Sequence, residues 1–290
     1  MMKKAIITDQ IDMDFDKAVF QAYKWGFQYI EIHSLWGKTI EDLTHDEVDR
    51  MAQTINKYHL RVSCLSSTLF LMCPLYHDVS SLEKFSDSFL TYDNTFENHL
   101  NKLEWCIDIG KRISADCIRI FPFRIEKEGI PSRAIQLISD ITDKLSKPVQ
   151  IAEKNQIPLV IENCPFSYLP RGTMTFHLTS VMKNNYLRLL WDVGNSYRSM
   201  EFDWVKEYSD APLVDEYEII KSHLFSLHIK DFEHRNGTYK LSVLGNGNIP
   251  YQEIFQHMKN DQYSKYVSLE PELDRDGVIQ SIDFLKKFTG

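Results

Sequence analysis

The chain has 290 residues, 43% hydrophobic and 26% charged, with a formal net charge of -8. That is enough chain for a sizeable core, and the composition excludes intrinsic disorder and fibrous repeats. Nucleic-acid binders normally carry a basic surface to meet phosphates, so the acidic balance argues against that class. No apolar run is long enough to span a bilayer, and the opening segment turns acidic before any signal-like region develops. The expectation is a cytoplasmic protein with neither a nucleic-acid nor a membrane partner.

Taken in chain order, eight short runs rich in β-branched and apolar residues read as strands, at 4–8, 29–33, 60–67, 116–123, 158–163, 187–193, 224–231 and 266–272. Amphipathic segments separate them, among them 15–26, 44–59, 96–113 and 131–155. Thr44 with Glu47 three residues on is the signature of a capping box at a helix start. Alternating strands and helices imply parallel strands with crossover helices, and eight such units fit one (β/α)8 barrel covering residues 1–290 as a single domain. A doubly wound open sheet is the rival, but no Gly-rich fingerprint follows the first strand. The long segment from Thr68 to Thr95 is placed to line or cover a pocket on the active-site side of such a barrel. Five scattered cysteines (Cys64, Cys73, Cys106, Cys117 and Cys164) form no CxxC pair and read as reduced, mostly buried small hydrophobes.

Barrel active sites lie at the carboxyl ends of the strands. The last four candidate strands end on Glu162, Asp192, His228 and Glu270, separated by 30, 36 and 42 residues, each about one βα unit. Four consecutive strands thus deliver one oxygen or nitrogen ligand apiece to the same height. The set suits one divalent ion that tolerates oxygen ligands with one nitrogen, namely Mn²⁺, Mg²⁺, Co²⁺ or Zn²⁺. A lone strand-end carboxylate is more often a cap or an ion pair, whereas four in equivalent positions are hard to explain structurally. Period-two alternation puts Ser226, His228 and Lys230 on one face, so Lys230 points toward the mouth beside the ligands. Asp192 is followed by Val193, Gly194 and Asn195, a turn that brings the amide of Asn195 to a bound hydroxyl. Glu31 and His33 share a face of the second strand, and with Trp36 they form the expected opposite wall of the substrate site.

These segments resemble the xylose isomerase-like TIM barrels, often labelled sugar phosphate isomerase/epimerase. The resemblance runs through GFQYIEIHSLWGKTIEDLTHDEVDRM, LRVSCLSS, CIRIFPF, VIENCP, LLWDVGNSYR, DEYEIIKSHLFSLHIKDF, LGNGNIPYQEIF and YVSLEPEL, which cover most of the chain. It implies one divalent ion held by Glu162, Asp192, His228 and Glu270. It also matches a His-x-Lys-Asp segment to His228, Lys230 and Asp231, and a Gly-x-Gly stretch to Gly245 and Gly247. Two departures argue against a free-ketose 3-epimerase. Asn195 stands where those enzymes have a His, and Tyr168 stands where they have a second Glu. The DNA-cleaving branch needs further His ligands that this sequence lacks.

The expected chemistry is isomerisation or epimerisation of a small sugar or sugar-derived hydroxy-ketone, by proton transfer through a metal-bound enediolate. Glu162 and Glu270 are the proton-transfer pair, and Lys230 stabilises charge or anchors substrate. A metal-dependent dehydratase or lyase of a polyol-derived ketone, of the inosose type, is the alternative reaction. A carbohydrate-binding barrel without catalysis is the alternative class. Homo-oligomerisation is left open by the sequence.

Overall fold

The computed structural model describes residues 1–83, 89–130 and 134–289. Eight strands close into a parallel barrel: β1 (Lys3–Ile7), β2 (Tyr29–Ile32), β3 (Arg61–Leu65), β4 (Ile118–Ile120), β5 (Leu159–Glu162), β6 (Leu187–Asp192), β7 (Leu224–Ile229) and β8 (Tyr266–Leu269). Each pairs with its sequence neighbours, and β1 closes the ring against β8 with Lys3 opposite Tyr266 and Ile6 opposite Leu269. All eight strands expected from the sequence are present. The outer layer is α1 (Phe15–Lys24), α2 (His45–Lys57), α3 (Phe96–Arg112), α4 (Ala134–Asn155), α5 (Gly172–Met182), α6 (Leu213–Ile220), α7 (Tyr251–Asn260) and α8 (Arg275–Thr289). Residues 131–133, placed in the fourth amphipathic segment by the sequence, lie outside the described residues.

Local chemistry explains where these helices start. Asp14 caps α1 by accepting from the amides of Asp16 and Lys17. Thr44 and Glu47 form the expected capping box at α2, the Thr44 amide donating to Glu47 Oε2 at 2.8 Å and the Glu47 amide to Thr44 Oγ1 at 3.3 Å. The main apolar core is the layer between barrel and helices, where residues such as Val19, Leu103, Ile161, Trp191 and Ile254 are fully buried. Inside the barrel a smaller plug of Cys64, Cys117, Val160 and Leu190 floors the space beneath the strand ends. All five cysteines are unpaired and buried. Among the described residues no helix is long and apolar enough to cross a membrane.

Two short hairpins rise from the carboxyl ends of the strands. Asp231–Arg235 pairs with Thr238–Ser242 after β7, and Ser34–Leu35 pairs with Lys38–Thr39 after β2. The first hairpin is braced by Asp231, whose buried carboxylate accepts from the amides of Phe232, Gly245, Gly247 and Ile249. This explains the Gly-x-Gly stretch. Gly245 has φ +87°, and a Cβ on Gly247 would stand 2.2 Å from Asp231 Oδ1. The motif shapes a carboxylate cradle beside the mouth.

Candidate metal centre and substrate cavity

Side chains pointing inward from the strand ends meet at one height. Glu162 ends β5, Asp192 ends β6, His228 is the penultimate residue of β7, and Glu270 follows β8. All four are buried, and one ligand atom from each lies within 4.8 Å of all the others. Two ligand atoms on opposite sides of one divalent ion stand roughly 4–5 Å apart, so the spacing fits a single ion. His228 Nδ1 is buried with no hydrogen-bond partner, and Asp192 Oδ2 meets only the Lys230 ammonium, as an ion pair at 3.1 Å. An unmet ring nitrogen at such depth is costly, and one aimed into a cluster of carboxylates is what an ion would satisfy. The cluster can hold a divalent cation.

Its neighbours are arranged to keep the carboxylates charged. Burial pushes Glu162 up, but the Arg119 guanidinium and His228 outweigh it and hold the carboxyl below its usual range. Burial likewise opposes ionisation of Glu270, and Lys230 with His228 pulls it well below the ordinary value. Asp192 behaves differently: burial raises it to about 7 despite the charge of Lys230. Lys230 Nζ stands 3.1 Å from Asp192 Oδ2, 3.0 Å from Glu270 Oε2 and 2.7 Å from Glu272 Oε1. Desolvation lowers its pKa, but these carboxylates raise it well above that of an exposed lysine. Lys230 therefore sits beside the ligand cluster, as alternation along the seventh strand required.

Above the cluster opens a cavity of about 590 Å³. Its polar lining includes Asp9, His33, Arg119, Glu162, Asn195, Arg198, Lys230 and Glu270, and its apolar lining includes Leu71, Phe89, Phe121 and Phe166. Leu71, Phe89 and Leu90 come from the long segment after β3, whose residues 84–88 lie outside the described residues. A second hollow of about 380 Å³, near the start of β1, is lined by Met1, Lys3, Trp25, Tyr29 and Leu285 among others, with no carboxylate or histidine among the described residues that line it. A second trio with ligand spacing, His77, Glu126 and Glu128, is also unlike the first. There Glu126 is saturated by the Tyr76 and His77 amides, the Tyr168 hydroxyl and the His77 ring.

A model of the xylose isomerase-like TIM barrel family matches residues 19–288. The chain belongs to that family. No curated protein matches its sequence significantly. Among solved structures, this family member is similar to the probable 3-DHS dehydratase AsbF from Bacillus anthracis at 16% identity and TM-score 0.71, over 98% of this chain and 99% of that one. It is similar to 3-keto-D-glucoside 4-epimerase YcjR from E. coli at 14% identity and TM-score 0.68, over 100% and 99% of the two chains. A third similar structure is D-allulose 3-epimerase from Methylomonas sp., at 15% identity and TM-score 0.71, over 99% of this chain and 98% of that one.

The remaining site residues of this family member fall into two groups. His33 and Asn195 line the cavity. His33 stacks on Phe89 at 4.5 Å, with Nδ1 3.1 Å from the Ser66 carbonyl and 3.0 Å from Arg119 Nη2. Asn195 donates from Nδ2 to Glu162 Oε1 at 3.3 Å and to the Asn163 carbonyl at 3.0 Å. The expected turn after Asp192 is the first turn of a short helix. Asp192 caps the short helix Val193–Ser199 by accepting from the Asn195 amide at 2.7 Å, which aims the Asn195 side chain inward.

Glu31 and Trp36 do not line the cavity, contrary to the expected opposite wall. Glu31 lies deeper, fully buried, with Oε1 2.7 Å from His228 Nε2 and accepting from Ser66 Oγ. A carboxylate on Nε2 fixes the ring so that Nδ1 is the nitrogen facing Glu162 and Glu270, at 3.7 Å and 3.6 Å. Trp36 adopts φ 52° and turns outward, its ring edge-on to Phe15 and beneath the Arg50 guanidinium at 4.4 Å. Its half-buried ring packs between Phe15 of α1 and Arg50 of α2, away from the cavity. Tyr168, the departure from the 3-epimerase pattern, is buried against Glu126.

Arg119 was missed by sequence reasoning. It projects from β4, 1% exposed, and donates to Glu162 Oε2 at 2.8 Å and to the Ser66 and Ser67 carbonyls at 3.0 Å and 3.1 Å. The available signal was a charged residue inside the run Cys-Ile-Arg-Ile-Phe, because buried parallel strands otherwise read as continuous apolar segments.

Proposed function

We propose that this barrel is a divalent-metal-dependent isomerase or epimerase of a small sugar or sugar-derived hydroxy-ketone. The observation that carries the reading is the buried cluster of Glu162, Asp192, His228 and Glu270, with His228 Nδ1 lacking a hydrogen-bond partner, on the floor of a cavity of about 590 Å³. Those four residues would hold the ion, and Mn²⁺, Mg²⁺, Co²⁺ and Zn²⁺ all suit three oxygens and one nitrogen. When bound, the ion supplies Lewis-acid polarisation of a substrate carbonyl and its adjacent hydroxyl. The names of the similar proteins, a dehydratase and two sugar epimerases, support the substrate class at a coarse level.

The chain's own residues supply the proton transfer. Glu162 and Glu270 are both held ionised by cationic neighbours, so each can accept a proton from the carbon next to a carbonyl. Arg119 and Asn195 fix the Glu162 carboxylate through different oxygens, which orients it toward the cavity. Lys230 holds Glu270 Oε2, and we assign Glu270 Oε1 as the atom that takes or returns a proton. Lys230 also places a positive charge where negative charge grows on the substrate. The apolar lining from Leu71, Phe89, Phe121 and Phe166 limits the water that competes for those protons.

The test is an NMR screen in D₂O of ketoses, inososes and hydroxypyruvate with the metal-loaded protein. The expected result is deuterium entering the carbon next to the carbonyl together with a rearranged product, both lost on chelation. A dehydrated product would replace isomerisation by the dehydratase reaction. Turnover of none of these compounds, or turnover indifferent to chelation, overturns the reading.

A further inference from the structure

Among the described residues three Lys or Arg side chains line the mouth cavity, and two of them are committed to acids. Arg119 pairs with Glu162 at 2.8 Å, and Lys230 with Asp192, Glu270 and Glu272. Arg198 is different. Among the described residues it forms no ion pair, and its guanidinium carbon lies 5.7 Å from the Phe166 ring centroid and 5.5 Å from that of Phe232. Two aromatic faces attract the guanidinium and shield it from water, but they do not neutralise it. We infer that Arg198 anchors a carboxylate on the substrate, so that the barrel takes sugar-derived acids in preference to neutral sugars.

This rests on the sugar reading of the cavity given above. Position supports it. Asp192 caps the helix Val193–Ser199, Asn195 lies three residues on and reaches Glu162, and Arg198 lies three residues further. Residues three apart share a helix face, and each such step advances about 4.5 Å along the axis. Arg198 is therefore on the Asn195 side of the helix, about one turn beyond the ligand cluster, and it still lines the cavity. A substrate with its reacting carbons at Glu162 and Glu270 can extend its far end to Arg198. Elsewhere the lining carries Asp9 and Glu272, which disfavour an anion and leave one orientation.

A carboxylate fits better than a phosphate. The guanidinium edge offers a two-pronged donor that matches one carboxylate. A phosphate ester brings a charge of about -1.5 to -2 and three acceptor oxygens. Among the described residues no second uncommitted cation lines this cavity to meet them.

The test is calorimetric titration of the metal-loaded protein at low salt with D-glucuronate against D-glucose, D-galacturonate against D-galactose, and a hexose phosphate. The acids are expected to bind about 10- to 100-fold more tightly than their neutral partners. That advantage should shrink with added salt and vanish in Arg198→Met, while Arg198→Lys keeps part of it. Thermal unfolding confirms that both variants are folded. Equal binding of acid and neutral sugar, or an advantage that survives in Arg198→Met, overturns this inference and leaves the sugar reading standing. An Arg198-dependent preference for the hexose phosphate over the acids replaces the carboxylate by a phosphate and overturns it too. Binding of no sugar of either kind overturns the sugar reading and this inference together.

Discussion

The two sides of the barrel mouth use inward-facing strand positions differently. On the late side, β5 to β8 present Glu162, Asp192, His228 and Glu270, one ligand atom of each meeting at a shared centre and His228 Nδ1 lacking a hydrogen-bond partner. On the early side, β2 to β4 present Glu31 and Arg119 at comparable depth, yet each binds a residue of the late side: Glu31 holds His228 at 2.7 Å and Arg119 holds Glu162 at 2.8 Å. Both sides are equally buried and equally charged in character. What separates ligand from support is where the ligand atoms lie: one from each late-side residue meets at a shared centre, while Glu31 and Arg119 bind those residues from the other side, and that is readable only from the tertiary contacts.

If this division is right, the largest effects belong to the late side. Asp192→Ala and His228→Ala should each abolish retention of a divalent ion through gel filtration, measured by elemental analysis, while circular dichroism still reports the barrel. Full metal occupancy in either variant would break the comparison outright. Glu162→Gln and Glu270→Gln keep an oxygen and the side-chain volume but remove the basic carboxylate. With substrate and ion saturating, kcat should fall by on the order of 10²–10⁴-fold while substrate still binds. Wild-type solvent exchange in both variants would move the base elsewhere, with His33 and Lys230 the next candidates.

The early side should act through the late side and more weakly. Glu31→Gln is expected to lower metal affinity by roughly 10–100-fold, read directly by titration with Mn²⁺, because the His228 ring loses its charged partner. An unchanged affinity would mean that the ring is held by packing alone.

The smallest effect concerns stability. His99 on α3 accepts from the Phe70 amide at Nδ1 and faces the Met72 carbonyl with Nε2, tying down the segment after β3. Burial lowers its pKa from 6.5 to about 4. The unfolded chain therefore takes up the proton first. The contribution to stability is fully present above about 6.5 and is lost as pH falls through about 4. The difference in unfolding free energy between wild type and His99→Gln should shrink across that window by on the order of 3 kcal/mol at most. A difference that is flat with pH would show that His99 is not held neutral.

The sequence by itself determined the barrel and its four late-side ligand candidates. Strand runs, helix segments and the Thr44–Glu47 cap are local patterns, and a strand end is by construction a place at the barrel mouth. One residue per βα unit therefore suffices to bring Glu162, Asp192, His228 and Glu270 to one height. Tertiary structure alone decided the rest. Glu31 and His228 are 197 residues apart in sequence, and only ring closure across the barrel interior sets them 2.7 Å apart. Trp36 faced outward because its φ of 52° and the gap between α1 and α2, not strand alternation, set its direction. Arg119 and Arg198 look alike as sequence, a lone arginine near apolar neighbours. Their difference is whether a carboxylate from another strand reaches them, and a contact between distant strands has no local signature.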